Sequence, residues 1–414
     1  MFPGRLRIFC DERLTAALPA ECTREWVGLA SDALAAAACG AAVAEAERGG
    51  RVLVVVRDID GGMFAEAATL AGRLRLDNLH VVLAADEPAL LVRFGRDASD
   101  LPWGQTSTTT VSLTPTGVGH GSAVDSYRGA PPVHLAALGL GGVPPWPIDA
   151  AAAPRAAAHA ALAWLSEREP RLLAVHSDAV WSRIPDSLAK LFALAHLCSE
   201  GRRVAWLVPD GTRMLGWLDA LSDIGARGLG LKLLVASAAL PSIDHLSAIA
   251  GWWVTEPADA SEVGAVLAQT LDTEDSMIIA LPRAAAQAHR GAPWSPGSGR
   301  WIATGDAITL ACRASSLASA ISARELLDAA GIAAGVYQCT SLVPVPGHDL
   351  ATAAARGPLL VVDVDDASRG IARAIAGELG GDRRARFDAI GAAPGSELTA
   401  ADIAQAARAL IARS

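Results

Sequence analysis

Residues 54–72 read VVVRDIDGGMFAEAATLAG, and this stretch decides the fold. An apolar strand runs into a cluster of Asp and Gly residues, and a helix of small residues follows. A second apolar strand, NLHVVLA (78–84), comes after that helix. Continuous Val and Leu runs flanked by helices are typical of strands buried on both faces, so the stretch predicts a parallel sheet. The Asp and Gly cluster at the strand's end has the layout of a phosphate or metal site.

The same alternation of strands and helices recurs in two further blocks. Pro- and Gly-rich stretches separate the blocks, which predicts domains at 1–130 (with its linker), 150–285 and 298–414. A chain of 414 residues is too long for one compact core. We therefore expect an α/β protein of three tandem open, mainly parallel-sheet domains.

Composition excludes several classes of function. The net charge of −9 argues against nucleic acid or an anionic membrane as the main partner, because both favour a basic surface. No segment has the length and hydropathy of a membrane span, and the N-terminus has no apolar stretch of the kind found in secretory signals. The six cysteines lack the spacing of a zinc site, so reduced thiols in a cytoplasmic protein are expected.

Five segments follow one another in the order of a known family. They are GLASDALAAAACGAAVA (28–44), GGMFAEAATLAG (61–72), VTEPADASEVGAVLAQTL (254–271), WIATGDAITLACRASSLASAISARELLDAAGIAAGVYQCTSLVPV (301–345) and RARFDAIGAAPGSELTAADIAQAARALI (384–411). They resemble 1-deoxy-D-xylulose-5-phosphate synthase and the wider transketolase family of thiamine diphosphate enzymes, in a shortened chain. The resemblance implies a diphosphate-binding-like first domain, a pyrimidine-binding-like second domain and a transketolase-like C-terminal domain.

The resemblance also implies a homodimer that binds thiamine diphosphate through Mg²⁺, since oxygen ligands and a hard cation offset the charge of the diphosphate. In the family, an Asp in a GDG motif and a later Asn hold the metal. Aligning residues 57–59 with GDG predicts Asp58 as a metal ligand and Arg57 as a contact to the anion. Asp86, 28 residues later, would replace the Asn, whose own position is taken by Ala84.

Other readings of the first domain stay open. An ungapped alignment puts Val56 at the position of the metal-binding Asp and leaves no carboxylate there, and both Asp58 and Asp86 also suit solvated turns. The family's GHAS motif corresponds to GLAS in this chain. Gly28 and Ser31 are therefore candidates for cofactor binding, whereas Leu29 replaces the family's His.

In the second domain, the family uses a glutamate to protonate the aminopyrimidine. Counting back from Gly201 places that glutamate at Ser187, with Asp186 as the neighbouring carboxylate. The alternative is that both residues cap a helix over 187–200. The family's aromatic stacking segment corresponds to VPDGTRML, which makes Gly211 a cofactor contact and Arg213 a substrate-anion contact.

Five more residues carry chemistry that the motifs do not settle. His245 is a catalytic candidate that does not match the family's His pair, so a surface or capping histidine is the alternative. His120 and Arg128, in GVGHGSAVDSYRG (117–129), are candidates for binding a substrate anion or are plain linker residues. Lys190 and Lys232 are the two lysines of the chain and the two side chains able to form a Schiff base. Their places on a polar–apolar helix and at a strand entry predict that both are solvated.

Three functional hypotheses follow, and they leave open whether the chain is an enzyme. An active transferase would move a two-carbon unit to an aldehyde, with Asp58 and Asp86 replacing the metal ligands and Asp186 replacing the catalytic glutamate. A non-catalytic subunit would pair with itself or with an intact paralogue. A repurposed cleft would act on a phosphorylated or carbonyl compound without a cofactor.

Overall fold

The structure, a computed structural model, describes 18 stretches of the chain. They are residues 7–10, 23–24, 40–41, 43–44, 52–56, 73–74, 79–83, 90–93, 111–112, 152–178, 181–183, 186–199, 201–209, 214–283, 297–363, 370–379, 386–392 and 398–413. Within these stretches, no helix is both long enough and apolar enough to cross a bilayer.

The chain divides into two compact units. The first comprises Met1–Pro132 with Glu169–Val204, and the second comprises Val133–Arg168 with Ala205–Ser414. The domain boundaries expected from the sequence are not tested by this division and stay a prediction.

The first block forms one sheet. Its strands are β1 (Arg7–Cys10), β2 (Thr23–Arg24), β3 (Val52–Val56), β4 (Leu79–Leu83), β5 (Leu90–Arg93) and β6 (Val111–Ser112). They lie in the order β2-β1-β3-β4-β5-β6, and every neighbouring pair is parallel except β4 and β5. The strands expected at 51–56 and 78–84 are therefore confirmed and lie side by side, in parallel, in this sheet.

The second block alternates helices and strands along the chain. Its elements are α1 (Pro154–Ser166), β7 (Leu172–Ala174), α2 (Leu188–Ser199), β8 (Arg203–Leu207), α3 (Leu218–Ala226), β9 (Lys232–Ala236), α4 (Ile243–Ser247), β10 (Trp252–Thr255), α5 (Ala260–Thr270) and β11 (Ser276–Leu281). All six residues of β11 are buried, which is typical of a strand covered by helices on both faces.

The third block follows the same principle. Its elements are β12 (Arg300–Ala303), β13 (Ile308–Cys312), α6 (Leu317–Asp328), β14 (Ala334–Gln338), β15 (Ser341–Val343), α7 (Gly347–Arg356), β16 (Leu359–Asp363), α8 (Ile371–Leu379), β17 (Phe387–Gly391) and α9 (Ala400–Ala412). Its sheet has the order β12-β14-β13-β16-β17, with β12 antiparallel and the other pairs parallel.

The core of the third block lies between its sheet and two helices. Leu317 and Leu327 of α6 pack with Ile403 and Leu410 of α9 in one buried cluster that also contains strand residues such as Leu360. Helical spacing produces this apolar stripe. The helix α9 begins at a capping box, in which Thr399 and Asp402 exchange hydrogen bonds.

One strand of the third block joins the sheet of the second. Within the second unit, neighbouring strands of that sheet lie in the order β15-β10-β11-β9-β8, and β15 is antiparallel to β10. By pairing with β10, β15 satisfies backbone groups of a strand that would otherwise be an open edge. The expected α/β class with open, mainly parallel sheets is confirmed.

Candidate functional site

The structure describes three of the twelve predicted site residues, which are Asp186, Ser187 and His245. The other nine lie outside the described residues: Gly28, Ser31, Arg57, Asp58, Asp86, His120, Arg128, Gly211 and Arg213. Their assigned roles stay predictions. The described candidates in the second block sit at the start of α2 and within α4.

Ser187 directly precedes α2 and caps it. Its Oγ accepts a hydrogen bond from the backbone N–H of Lys190 at 3.2 Å, and its carbonyl oxygen accepts one from Leu191 N at 3.0 Å. A side-chain oxygen that satisfies the N–H three residues on is the usual N-cap arrangement. The hydroxyl therefore stabilises the first turn of α2.

Asp186 pairs with a buried amine one helical turn away. Its Oδ1 accepts a hydrogen bond from Lys190 Nζ at 3.0 Å, and the side chains of the two residues are 23% and 2% exposed. Burial strips water from the ammonium group and so lowers the pKa of Lys190, while the carboxylate of Asp186 acts in the opposite direction.

The prediction that Lys190 is solvated is wrong. A two-faced helix was expected, but α2 is buried on several sides, and the five residues that follow Lys190 have almost no exposed surface. They are Leu191, Phe192, Ala193, Leu194 and Ala195. The lysine stem therefore lies inside the protein, and its charge is met by Asp186 beside it.

Lys232 is also buried, so the same prediction is wrong for the second lysine. Its side chain is 2% exposed, because it starts a strand in the interior of its sheet. Its Nζ donates hydrogen bonds to the backbone carbonyls of Gly230, Thr273 and Asp275 at 2.8, 2.9 and 2.5 Å. Three carbonyl acceptors satisfy the hydrogen-bond donors of the ammonium group and hold it in place.

His245 is exposed on the short helix α4. Its Nδ1 lies 2.7 Å from Ser242 Oγ, and neighbouring Asp244 forms an ion pair with Arg373 at 3.2 Å. These contacts are local and lie at the surface. They match the surface or capping alternative for His245.

A buried cluster of charges in the second unit, here called the arginine network, was not predicted as a site. Its first half centres on Arg313, whose guanidinium binds both carboxylate oxygens of Glu256 at 3.2 Å each. Arg313 Nη1 lies 3.6 Å from Asp363 Oδ1, and Asp363 Oδ2 accepts a hydrogen bond from Ile371 N at 2.8 Å. Glu256 and Asp363 have no exposed surface.

The second half of the arginine network centres on Arg300. Its Nη2 lies 3.1 Å from Asp259 Oδ2 and 3.3 Å from Glu262 Oε2, and its Nε donates to Gln338. Glu262 also accepts hydrogen bonds from Gln338 and from Thr340, at 3.0 and 2.8 Å. Because these carboxylates are held by cationic and amide donors, they stabilise the fold.

The sequence contains a signal for two residues of the arginine network, Asp259 and Glu262. Asp259 and Glu262 have the D-x-x-E spacing of a helix start, and Asp259 does cap α5 by accepting a hydrogen bond from Glu262 N at 2.9 Å. Nothing in the sequence pairs them with Arg300, which lies 41 residues beyond Asp259.

Cys198, Cys312 and Cys339 are free thiols. Burial raises the pKa of both Cys312 and Cys339, so these two are held as neutral thiols. Among the described residues, no group of three or more His, Cys, Asp or Glu side chains is arranged to hold a metal ion.

The architecture is shared with solved structures. Transketolase from Leishmania mexicana superposes with a TM-score of 0.57 at 13% identity, over 92% of this chain and 80% of that one. Transketolase from Campylobacter jejuni gives 0.55 at 12% identity, over 92% and 80%. The fold is transketolase-like. A split-gene transketolase, described as an inactive β4 tetramer, gives 0.53 at 21% identity, over 63% of this chain and 99% of that one. No protein-family profile and no curated protein sequence matches the chain.

In a transketolase-like fold, the start of α2 is where the sequence count places the proton-donating glutamate. A serine hydroxyl does not ionise near neutral pH, and Ser187 is already bonded to the backbone of α2. Asp186 is bonded to Lys190. The described residues of this corner therefore do not include the glutamate side chain that the resemblance assigns to proton transfer with thiamine diphosphate.

Proposed function

We propose that this transketolase-like chain is a subunit that does not carry out thiamine diphosphate chemistry at its own second-domain site and that assembles with an intact transketolase-like paralogue. The observation that carries the proposal is the capping role of Ser187, together with the Asp186–Lys190 pair. At the position that the resemblance assigns to the family's glutamate, the chain has a hydroxyl that stabilises a helix.

Two further features support the proposal. The arginine network keeps six charged residues of the second unit in mutual contact or bound to buried amides, as a retained scaffold requires. One similar structure is described as an inactive tetramer of β chains from a split-gene transketolase, and 99% of that chain is covered. An inactive tetramer of one split-gene chain is thus a precedent for a chain of this fold that has no activity of its own.

Calorimetric titration of thiamine diphosphate with Mg²⁺ into the purified protein tests the first half of the proposal. We expect no binding in the micromolar range. Asp58→Ala is the matched variant, because Asp58 is the predicted metal ligand. Micromolar binding that disappears in Asp58→Ala would overturn the proposal and favour an active two-carbon transferase.

Coexpression with an intact transketolase-like chain from the same genome tests the second half. Light scattering after size exclusion measures the mass of the complex and the proportion of its chains. We expect a heteromer with the intact chain, and a gain in the activity of that chain. If the two chains purify separately as homodimers, the partner role is wrong.

A second candidate function is carbonyl chemistry without a cofactor. The observation that favours it is the buried amine of Lys190 at the same corner.

A further inference from the structure

The chain has two lysines, and both are buried in different ways. Lys232 Nζ is fixed by three backbone carbonyls at the amino end of β9. Lys190 Nζ faces a carboxylate that is itself partly exposed, near the amino end of α2. The two amines therefore differ in what surrounds them, although each side chain is 2% exposed.

The place of Lys190 in the fold favours reactivity. It is the third residue of α2, where the partial positive charge of the helix start disfavours a further positive charge. The helix follows β7, and ligands of open α/β sheets bind outside the carboxyl ends of the strands. Burial acts in the same direction, since it lowers the pKa of Lys190 and so raises the share of free amine.

Asp186 links this amine to solvent. Its carboxylate is 3.0 Å from Lys190 Nζ, and its side chain is 23% exposed. A carboxylate at hydrogen-bond distance can take a proton from the ammonium group and return it to a leaving hydroxyl.

We propose that Lys190 captures a small aldehyde or ketone as a Schiff base, with Asp186 moving the proton. Asp186 accepts one proton from the ammonium group, and the free amine adds to the carbonyl carbon to give a carbinolamine. Asp186 then protonates the hydroxyl, water leaves, and the C–N bond becomes an iminium. One ammonium and one carbonyl yield one iminium and one water, with no oxidant or reductant consumed. This proposal concerns the chain alone and does not depend on a partner or on thiamine diphosphate.

The wild-type chain itself provides the first test, with Lys232 as an internal control. The protein is incubated with glycolaldehyde or hydroxyacetone and sodium cyanoborohydride at neutral pH, and peptide mapping by mass spectrometry locates the reduced adducts. General acid–base catalysis by a positioned carboxylate contributes about 10²-fold or more. Asp186 lies beside Lys190 Nζ, whereas three backbone carbonyls hold Lys232 Nζ, so we expect adduct formation at Lys190 at least about tenfold faster than at Lys232. No adduct at Lys190, or equal rates at the two lysines, would overturn the proposal.

The role of Asp186 is tested by Asp186→Asn, which preserves size and removes the proton acceptor. General acid–base catalysis contributes about 10²-fold or more, so we expect trapping at Lys190 to slow by at least about tenfold. Asp223→Asn is the matched control, because Asp223 also pairs with a cation one turn along a helix, Arg227 at 3.1 Å. It should trap at the wild-type rate. Unchanged or faster trapping in Asp186→Asn would show that Asp186 is no more than an ion-pair partner.

Discussion

The start of α2 and the arginine network differ in how their buried charges are paired. In the network, Arg313 and Arg300 meet carboxylates and amides at several atoms each. At the start of α2, the buried charge of Lys190 meets Asp186, whose side chain is partly exposed. A buried charge that is bound at many atoms stabilises the fold, whereas the ammonium group of Lys190 is paired with a carboxylate that solvent partly reaches. The arginine network is therefore the place to test stability, and the start of α2 is the place to test the proposed reactivity.

Arg313→Met should produce the largest effect on stability. The variant leaves Glu256 buried without its guanidinium, although Ser315 still donates to it. Removing one partner of a buried ion pair typically costs about 3–5 kcal/mol of unfolding free energy. Urea denaturation followed by circular dichroism measures that loss.

Arg324→Met is the control for Arg313→Met. Arg324 pairs with Asp328 at 3.1 Å, and the two side chains are 34% and 39% exposed. Exposed pairs contribute about 0–1 kcal/mol, so the unfolding free energy should change little. Equal losses in the two variants would mean that the network does not stabilise the fold more than a surface pair does.

Gly40→Ala should produce the next largest effect, because it tests the packing beneath α2. A Cβ at Gly40 would lie 2.4 Å from Phe192 Cβ and 2.5 Å from Ala193 N, so the helices must shift. Overpacking of this kind costs about 1–3 kcal/mol. Thermal and urea unfolding of the variant check the expected loss.

Gly377→Ala is the matched control, for which we expect a gain in stability. Gly377 is also helical, and a Cβ there would meet no atom within 4 Å. Replacing an exposed helical glycine with alanine stabilises by about 0.5–1 kcal/mol. If both alanine variants are stabilised, the close contact between Gly40 and α2 is absent in solution.

Ser187→Ala should have a smaller effect, and it distinguishes a helix cap from a catalytic group. Loss of an N-cap hydroxyl costs about 1 kcal/mol of stability. Ser187→Asp keeps a capping oxygen and should recover most of that loss in the same urea titration. A loss in Ser187→Ala that Ser187→Asp does not recover would contradict the capping role of the Ser187 side chain.

Much of the fold was predictable because many of its strands are continuous apolar runs in the sequence. Apolar runs at 276–281 and 359–363 are long, continuous and bounded by turns, and both are strands. The strand Ile308–Cys312 was not predicted, because it runs almost directly into the helix that follows and its pattern merges with it. The strand Ser341–Val343 was also missed, since it is short and is defined by its pairing with β10, far away in sequence.

The candidate site was less predictable, because it depends on contacts rather than on spacing. Ser187 and its helix could be placed by counting along the sequence, and the capping alternative needed no partner beyond the next turn. The burial of Lys190 could not be predicted in this way, because a lysine on a helix is usually solvated. The residues that cover it are brought there by tertiary packing. The pairing of Arg300 with Glu262 could not be predicted either. In the sequence each resembles a surface charge, and only the fold brings Arg300 Nη2 to 3.3 Å from Glu262 Oε2.

The smallest expected effect is the pH dependence of Lys190→Met. Burial holds the pKa of Lys190 below its unfolded value, so the folded state loses its proton first as the pH rises. Between the two pKa values the unfolded chain binds more protons, and the stability of the wild type therefore rises with pH. The methionine variant lacks this gain. The Tm of Lys190→Met minus the Tm of the wild type should therefore decrease as the pH rises towards 10.5, and should stay constant above it. A difference that grows with pH would place the folded pKa above the unfolded one, which would mean that the attraction of Asp186 outweighs burial at Lys190.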